Sequence, residues 1–380
     1  MNRILSLDVF RGIAIVLMVL VNNPGSWATI YWPLKHAQWH GLTPTDLVFP
    51  FFIFAMGASL ALSFRRQVGV KPRALIAGIL RRSAALFACG LFLALFFYNP
   101  YSSEFNWVTD RVLHIRVMGV LQRLAVVYLI TSLLVLYVPA RRLVFWCMGL
   151  LVAYWLMMTF IPYTDSSGEV HQGLWLPGNS LSAWLDAMVL GENHVYYRDA
   201  TPFPFDPEGL LSTLPAVSSC LFGVICGNWL LQARQSAIRE KSLWLPALAT
   251  LILGLVTVLW NPVNKALWSP SFVLITTGLA MLLLALLERV IRSDGWQGWT
   301  RPFVVAGSNS LFFFILSGIA ARLLFMIPVE DKPLKTWLYQ QYFLPFLSPY
   351  NASLAFACVF LLIMFIPTWW LYHKRWFIRL

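Results

Sequence analysis

Ten apolar runs, each near the length that crosses a bilayer as a helix, divide this chain. They cover residues 9–25, 45–64, 75–98, 116–138, 143–162, 210–232, 243–260, 270–288, 303–326 and 352–372. With 59% hydrophobic and only 12% charged residues, and a mean hydropathy of +0.69, the composition exceeds what a soluble domain of this length carries. The expected fold is therefore all-α: a polytopic membrane protein of about ten transmembrane helices, one domain over residues 1–380. Its 18 Trp and 13 Tyr supply the aromatics that anchor such helices at headgroup level.

An even number of spans puts both termini on one side, and the basic residues say which. Arg65, Arg66, Lys71, Arg73, Arg81, Arg82, Arg141, Arg142, Arg234, Arg239, Lys241, Arg289, Arg292, Arg301, Lys374, Arg375 and Arg379 fall at alternate junctions or in the C-terminal tail. Those junctions and both termini are predicted to be cytoplasmic. Acidic residues, among them Glu104, Asp110, Asp165, Asp186, Asp206, Glu208 and Glu330, mark the far side. The net charge of +12 is then topology and attraction to anionic lipid rather than nucleic-acid binding.

The first run, interrupted by Asp8 and Arg11, reads as a retained helix rather than a cleaved signal. All five cysteines lie inside apolar runs, which implies neither a disulfide framework nor a zinc site. The longest stretch between runs, 163–209, is rich in Pro, Gly and aromatics and is expected to fold as an extracytoplasmic cap.

Chemistry points to the polar segment Lys35–Asp46, wedged between the first two runs. It holds His36 and His40, and imidazole titrates nearest neutrality. A loop histidine beside tryptophan also suits a merely interfacial role. Gly41 and Pro44 argue against the helix that would let the two histidines share a metal. His114, His171, His194 and His373 stand singly and read as solvated.

Polar groups inside spans are costly and so usually meet a partner, a cavity or a substrate. Asp8 and Arg11 share a helix face and either pair or line a cytoplasmic-side cavity. Gln122 and Arg123 serve either a phosphate or carboxylate ligand or packing. Asn22 and Asn23 suit the C-cap of the first helix. Asp206-Pro207-Glu208 reads as a helix start, with Asp206 as N-cap, or as an acidic mouth for a hydroxyl-rich or cationic substrate.

Taken in order, several motifs become specific together. They are Ser6-Leu7-Asp8-Val9-Phe10-Arg11-Gly12, Leu34-Lys35-His36-Ala37, Gly41-Leu42-Thr43, Asp46 to Gly57, Gly119-Val120-Leu121-Gln122-Arg123, Asp206-Pro207-Glu208-Gly209, Asn261-Pro262-Val263-Asn264-Lys265 with Leu267-Trp268, and Asn309-Ser310. From Ser6 to the C-terminus the chain resembles the heparan-α-glucosaminide N-acetyltransferase family of transmembrane acyltransferases, notably its compact bacterial members. The resemblance implies transfer of acetyl from acetyl-CoA to the amino group of a terminal glucosamine across a bacterial inner membrane, with His36 essential. It also implies an amino sugar or glycan as partner and, from the animal enzyme's dimer, suggests a second copy of the chain; membrane lipid is the partner that composition and charge imply. Two features depart from the family: a longer Pro24–Ile30 stretch, and His40 where the animal enzyme has asparagine.

On this reading neutral His36 is the general base and Asn22 or a backbone amide steadies the oxyanion. Arg11, Gln122 and Arg123 line the donor path, and His40, Asp46, Asp206 and Glu208 form the acceptor set. No metal is called for. O-acetylation of an envelope glycan and sugar transport are the alternatives.

Overall fold

The computed structural model describes residues 4–67, 69–233, 243–293 and 297–378. Of the basic residues used to orient the chain, Arg234, Arg239, Lys241 and Arg379 lie outside the described residues. Every one of the ten apolar runs is helical. The helices in chain order begin with α1 (Leu5–Val21), α2 (Val48–Arg66), α3 (Pro72–Leu95), α4 (Val120–Tyr137) and α5 (Leu143–Phe160). A short α6 (Leu181–Leu190) precedes α7 (Thr213–Ala233), α8 (Trp244–Thr257) and α9 (Pro270–Ser293). Then come α10 (Arg301–Ser308), α11 (Ser310–Met326), the short α12 (Leu334–Tyr342) and α13 (Pro349–His373).

Among the described residues seven helices are long and apolar enough to cross a membrane, and α10 with α11 makes an eighth span bent by 71°. This marks a multi-pass membrane protein. Of the remaining two runs, α1 has the 17 residues expected but starts four residues earlier, at Leu5, and α8 is shorter than its run, with 14 residues. The expected straight helix over 303–326 is broken at Asn309. Its buried side chain accepts from the Ile378 amide (2.9 Å) and donates to the Trp376 carbonyl (3.0 Å), so backbone groups of the C-terminal tail take up its hydrogen bonds.

Within the bundle α7 and α9 are central, each 78% buried along its span, whereas α3, α5 and α13 are only 22–28% buried and present apolar side chains outward. That outward face suits lipid, since acyl chains solvate Leu and Phe as well as a protein core does. The central helices approach closely through small residues. A Cβ at Gly57 on α2 would overlap the Cys220 carbonyl on α7, and one at Gly12 on α1 would overlap the Phe303 carbonyl on α10. Close backbone contact of this kind holds helices together where lipid removes the hydrophobic drive.

The 163–209 segment is folded. Two short hairpins, Tyr163–Thr164 with Val170–His171 and Trp175–Leu176 with Asn179–Ser180, lead into α6. Tyr163, Leu181, Phe203 and Phe205 form a small core with Tyr154 and Met158 at the end of α5. Three histidines expected to be solvated are engaged instead: His114 Nδ1 meets the Thr109 carbonyl (2.5 Å), His171 Nε2 meets Asp165 (3.0 Å), and His194 Nδ1 meets the Ile115 carbonyl (2.8 Å).

Candidate active site

His36 sits in a loop that three anchors hold against the rest of the molecule. Trp39 donates its indole N–H to the Trp175 carbonyl of the cap (2.7 Å) and packs edge-on against Phe205. The Gly41 amide bonds the Val263 carbonyl (2.8 Å) at a φ of +117°, a conformation that favours glycine. Asn264 donates to the Trp39 carbonyl (3.0 Å) from the turn before α9.

Asp46 is the hub of the loop. Its Oδ2 accepts from the Ala37 amide (3.0 Å), the Thr43 amide (3.1 Å) and the Thr43 hydroxyl (2.9 Å), while Oδ1 meets His36 Nδ1 at 2.7 Å. The carboxylate is almost wholly buried, so it is ionised at a cost that these partners offset. With both oxygens committed, Asp46 is placed to orient His36 rather than to contact an acceptor. A proton on Nδ1, donated to Asp46, leaves the lone pair on Nε2, which has no partner among the described residues.

Lys265 completes the cluster, its Nζ 3.0 Å from His36 Nδ1 and 3.4 Å from Asp46 Oδ1. Asn264 shapes the turn that presents it, accepting from the Leu267 amide (2.8 Å) and from the Ser269 amide (3.0 Å). Three residues after Lys265, buried Trp268 takes a left-handed φ of +50°. Burial pulls the Lys265 pKa down, and the charges of Asp46 and Glu208 only partly restore it.

Facing this cluster across a cavity of about 270 Å³ are Arg116, Tyr196, Tyr197 and Glu208. Arg116 grips Asp206 with two bonds, Nε to Oδ2 (2.7 Å) and Nη2 to Oδ1 (2.6 Å), and also binds Glu208. Burial raises the Asp206 pKa against that pairing. Burial also opposes ionisation of Glu208, but the charges of Arg116, Arg123 and Lys265 outweigh it and hold Glu208 low. Asp206 is not the expected N-cap, because α7 starts only at Thr213 and the Leu210 amide is taken by Asp186 (2.9 Å). Glu208 is thus the acidic group of the pair that lines the cavity, and Asp206 lies behind it.

Asp186 itself is fully buried, and burial pushes its pKa up to about 7. The folded protein therefore holds a proton that an unfolded aspartate, with a pKa of about 3.9, would release. Stability from this group is present in acid and is lost as pH rises through about 7. Melting temperatures of wild type and Asp186→Asn at about pH 5 and about pH 8 test this. The wild type is expected to lose more on going to the higher pH, and equal losses would contradict it.

The other predicted site residues are dispersed. Asn22 is exposed at the end of α1, outside the lining of the His36 cavity. His40 is also outside it and approaches Asn264 at 3.4 Å; burial lowers its pKa. Arg123 is fully buried, donating to Ser212 and to the Gly209 carbonyl (3.3 Å) with its guanidinium over Trp268, and it lines none of the described cavities. Gln122 lines a separate cavity against Gly90.

Arg11 alone of the predicted donor set faces the other end of the bundle. It pairs with Asp8 (3.1 Å), bonds the Gly307 carbonyl (2.6 Å), and lines a cavity of about 430 Å³ with Arg66 and Arg82. An adjoining cavity of about 120 Å³ is lined by Phe52, Leu124 and Tyr128. Val120 of the His36 cavity, Leu124 and Tyr128 repeat every four residues on one face of α4, spanning about 12 Å along its axis.

The family description "Heparan-alpha-glucosaminide N-acetyltransferase, catalytic" matches residues 3–260, a range that contains His36, Asp46, Arg116, Asp206 and Glu208. The chain belongs to the heparan-alpha-glucosaminide N-acetyltransferase family. Two relatives named heparan-alpha-glucosaminide N-acetyltransferase are each 32% identical to it. The one from Homo sapiens aligns over 365 residues, 82% of this chain and 52% of its own length. The one from Mus musculus aligns over 361 residues, 83% of this chain and 53% of its own. The chain thus spans about half the length of these relatives.

Lys265 and Arg116 join the candidate site only in the fold. Each is a base standing on a junction where the charge alternation otherwise places acids, and that inversion was the available signal.

Proposed function

We propose that this heparan-alpha-glucosaminide N-acetyltransferase family member transfers acetyl from acetyl-CoA to the amino group of a glucosamine-type sugar. The observation that carries the reading is the His36–Asp46 pair, which opens on a cavity whose far wall holds ionised Glu208. An ammonium cannot attack a thioester until it loses a proton, and His36 Nε2 is the group to take it. Nitrogen then attacks the carbonyl carbon, the C–N bond forms and the C–S bond breaks; of the two protons the ammonium loses, one passes from His36 to the departing thiolate and the other leaves to solvent.

The developing oxyanion needs a donor. Lys265 Nζ, beside the imidazole, fits this role better than Asn22, which stands outside the cavity; such a donor is worth about 3 kcal/mol. Glu208 suits the acceptor ammonium or its hydroxyls. The three guanidiniums of Arg11, Arg66 and Arg82 suit the phosphates of the donor, and the α4 face of Tyr128, Leu124 and Val120 offers its acyl arm a route. Donor and acceptor then enter from opposite ends, the donor from the cytoplasm, and only the acetyl crosses.

Purified protein mixed with acetyl-CoA is expected to release free thiol when glucosamine is added and not without it, the product being N-acetylated by mass spectrometry. Thiol release that stayed at background with every amino sugar tried would overturn the reading. An O-acetyl product would move it to a glycan hydroxyl.

A further inference from the structure

The largest cavity among those described is not needed for this chemistry. It encloses about 970 Å³ between the ends of α3, α4 and α11, and shares Arg116, Val120 and Tyr196 with the His36 cavity. Its volume is at the upper end of small-molecule sites. Three further guanidiniums reach it from three different segments: Arg111 from the short helical turn Val108–Val112, Arg198 from a loop, and Arg322 from α11.

None of these three forms an ion pair with a carboxylate among the described residues. Arg198 donates to the His114 carbonyl (2.6 Å), and Arg322 donates to the Gly318 carbonyl (2.8 Å). Arg111 stacks on Phe97 at 3.8 Å, with its Nε buried and unpartnered. Burial and the nearby Arg198 charge lower the Arg111 pKa, and the Asp110 carboxylate, which also lines the cavity, only partly opposes them. Like charges gathered in a partly dry space are costly unless an anion joins them. A planar carboxylate satisfies one guanidinium fork, whereas the several oxygens of a phosphate can meet forks arriving from separate directions.

Asp110, His114 and Gln122 also line the cavity, but its walls on the helices are mostly apolar: Leu93 and Ala94 of α3, Leu121 of α4 and Phe314 of α11, with α3 largely turned outward. A free polar anion has no use for such walls. We propose that this cavity binds the phosphate group of an amphiphile whose apolar part lies along α3 and α11. The phosphate belongs either to an anionic bilayer lipid or to a lipid-linked amino sugar presented to His36. The second source rests on the acetyl-transfer reading, and the first does not.

The test uses full-length protein and the Arg198→Gln/Arg322→Gln variant. Should that variant fold poorly, Arg198→Gln alone serves, since its side chain is exposed and holds one loop carbonyl. One arm measures retention of phosphatidylglycerol against phosphatidylcholine by native mass spectrometry. The other compares KM for glucosamine 1-phosphate and glucosamine.

A bilayer lipid as source predicts a preference for phosphatidylglycerol of about tenfold that the variant loses, with the KM ratio unchanged. An acceptor phosphate predicts a KM about tenfold lower for glucosamine 1-phosphate, again lost in the variant. The proposal is overturned if neither preference exists, or if the variant changes only the KM for acetyl-CoA. Lipid retention is read without turnover, so failure of acetyl transfer leaves this test standing.

Discussion

His36→Ala is expected to bind acetyl-CoA as the wild type does while turnover falls by about 10²- to 10⁴-fold, the usual contribution of a positioned general base. The side chain is about half exposed (48%), so its truncation leaves little cavity. Asp46 keeps its bonds from Ala37 and Thr43 and its neighbour Lys265, so the loop retains its hub. Calorimetric binding of acetyl-CoA beside steady-state thiol release separates the two effects, and a kcat near wild type would refute the mechanism. The same experiment bears on a two-step route in which the imidazole is itself acetylated. Labelled acetyl trapped on His36 without acceptor, with ping-pong kinetics, would favour that route. The ternary route requires no acyl-imidazole beside an open cavity.

Arg116→Gln is expected to give the largest loss of stability at the site, about 3 kcal/mol or more. The guanidinium is the bidentate partner of Asp206, whose side chain is wholly buried, and also the partner of Glu208. Burial alone would lower the Arg116 pKa, yet the two carboxylates drive it above its ordinary value. Removing it leaves one buried carboxylate unpaired and a second without its main counter-charge. Arg116→Lys should recover only part of the loss, because an ammonium cannot reproduce the two parallel bonds. Adding Asp206→Asn to Arg116→Gln should restore some stability by removing the unpaired charge. Thermal unfolding in detergent checks all three, and a shift below about 1 °C for Arg116→Gln would contradict the assignment.

How much of this was legible in the chain depends on whether an interaction is local. Apolar runs of bilayer length produced helices because every backbone polar group in lipid must be satisfied within its own segment. The bend at Asn309 escaped notice because its partners, Trp376 and Ile378, lie 67 and 69 residues away. Likewise the His36 loop drew attention through its own polarity, but the partners that define it did not. Lys265 is 229 residues from His36, and Arg116 is 90 from Asp206.

Asp46 was noticed as part of the loop, yet its role turned on bond counting that only three dimensions supply. Arg123 and Gln122 are adjacent in sequence but point to different surroundings, since neighbours on a helix do not share a face. The candidate histidine is therefore visible in the pattern of the chain, and its environment only in the fold.

Proteoliposomes with acetyl-CoA sealed inside and glucosamine outside test the central claim most directly. The account predicts N-acetylglucosamine in the outer solution and coenzyme A retained within, from molecules whose Arg11, Arg66 and Arg82 end faces the lumen. Product formed only when donor and acceptor share one side would contradict it.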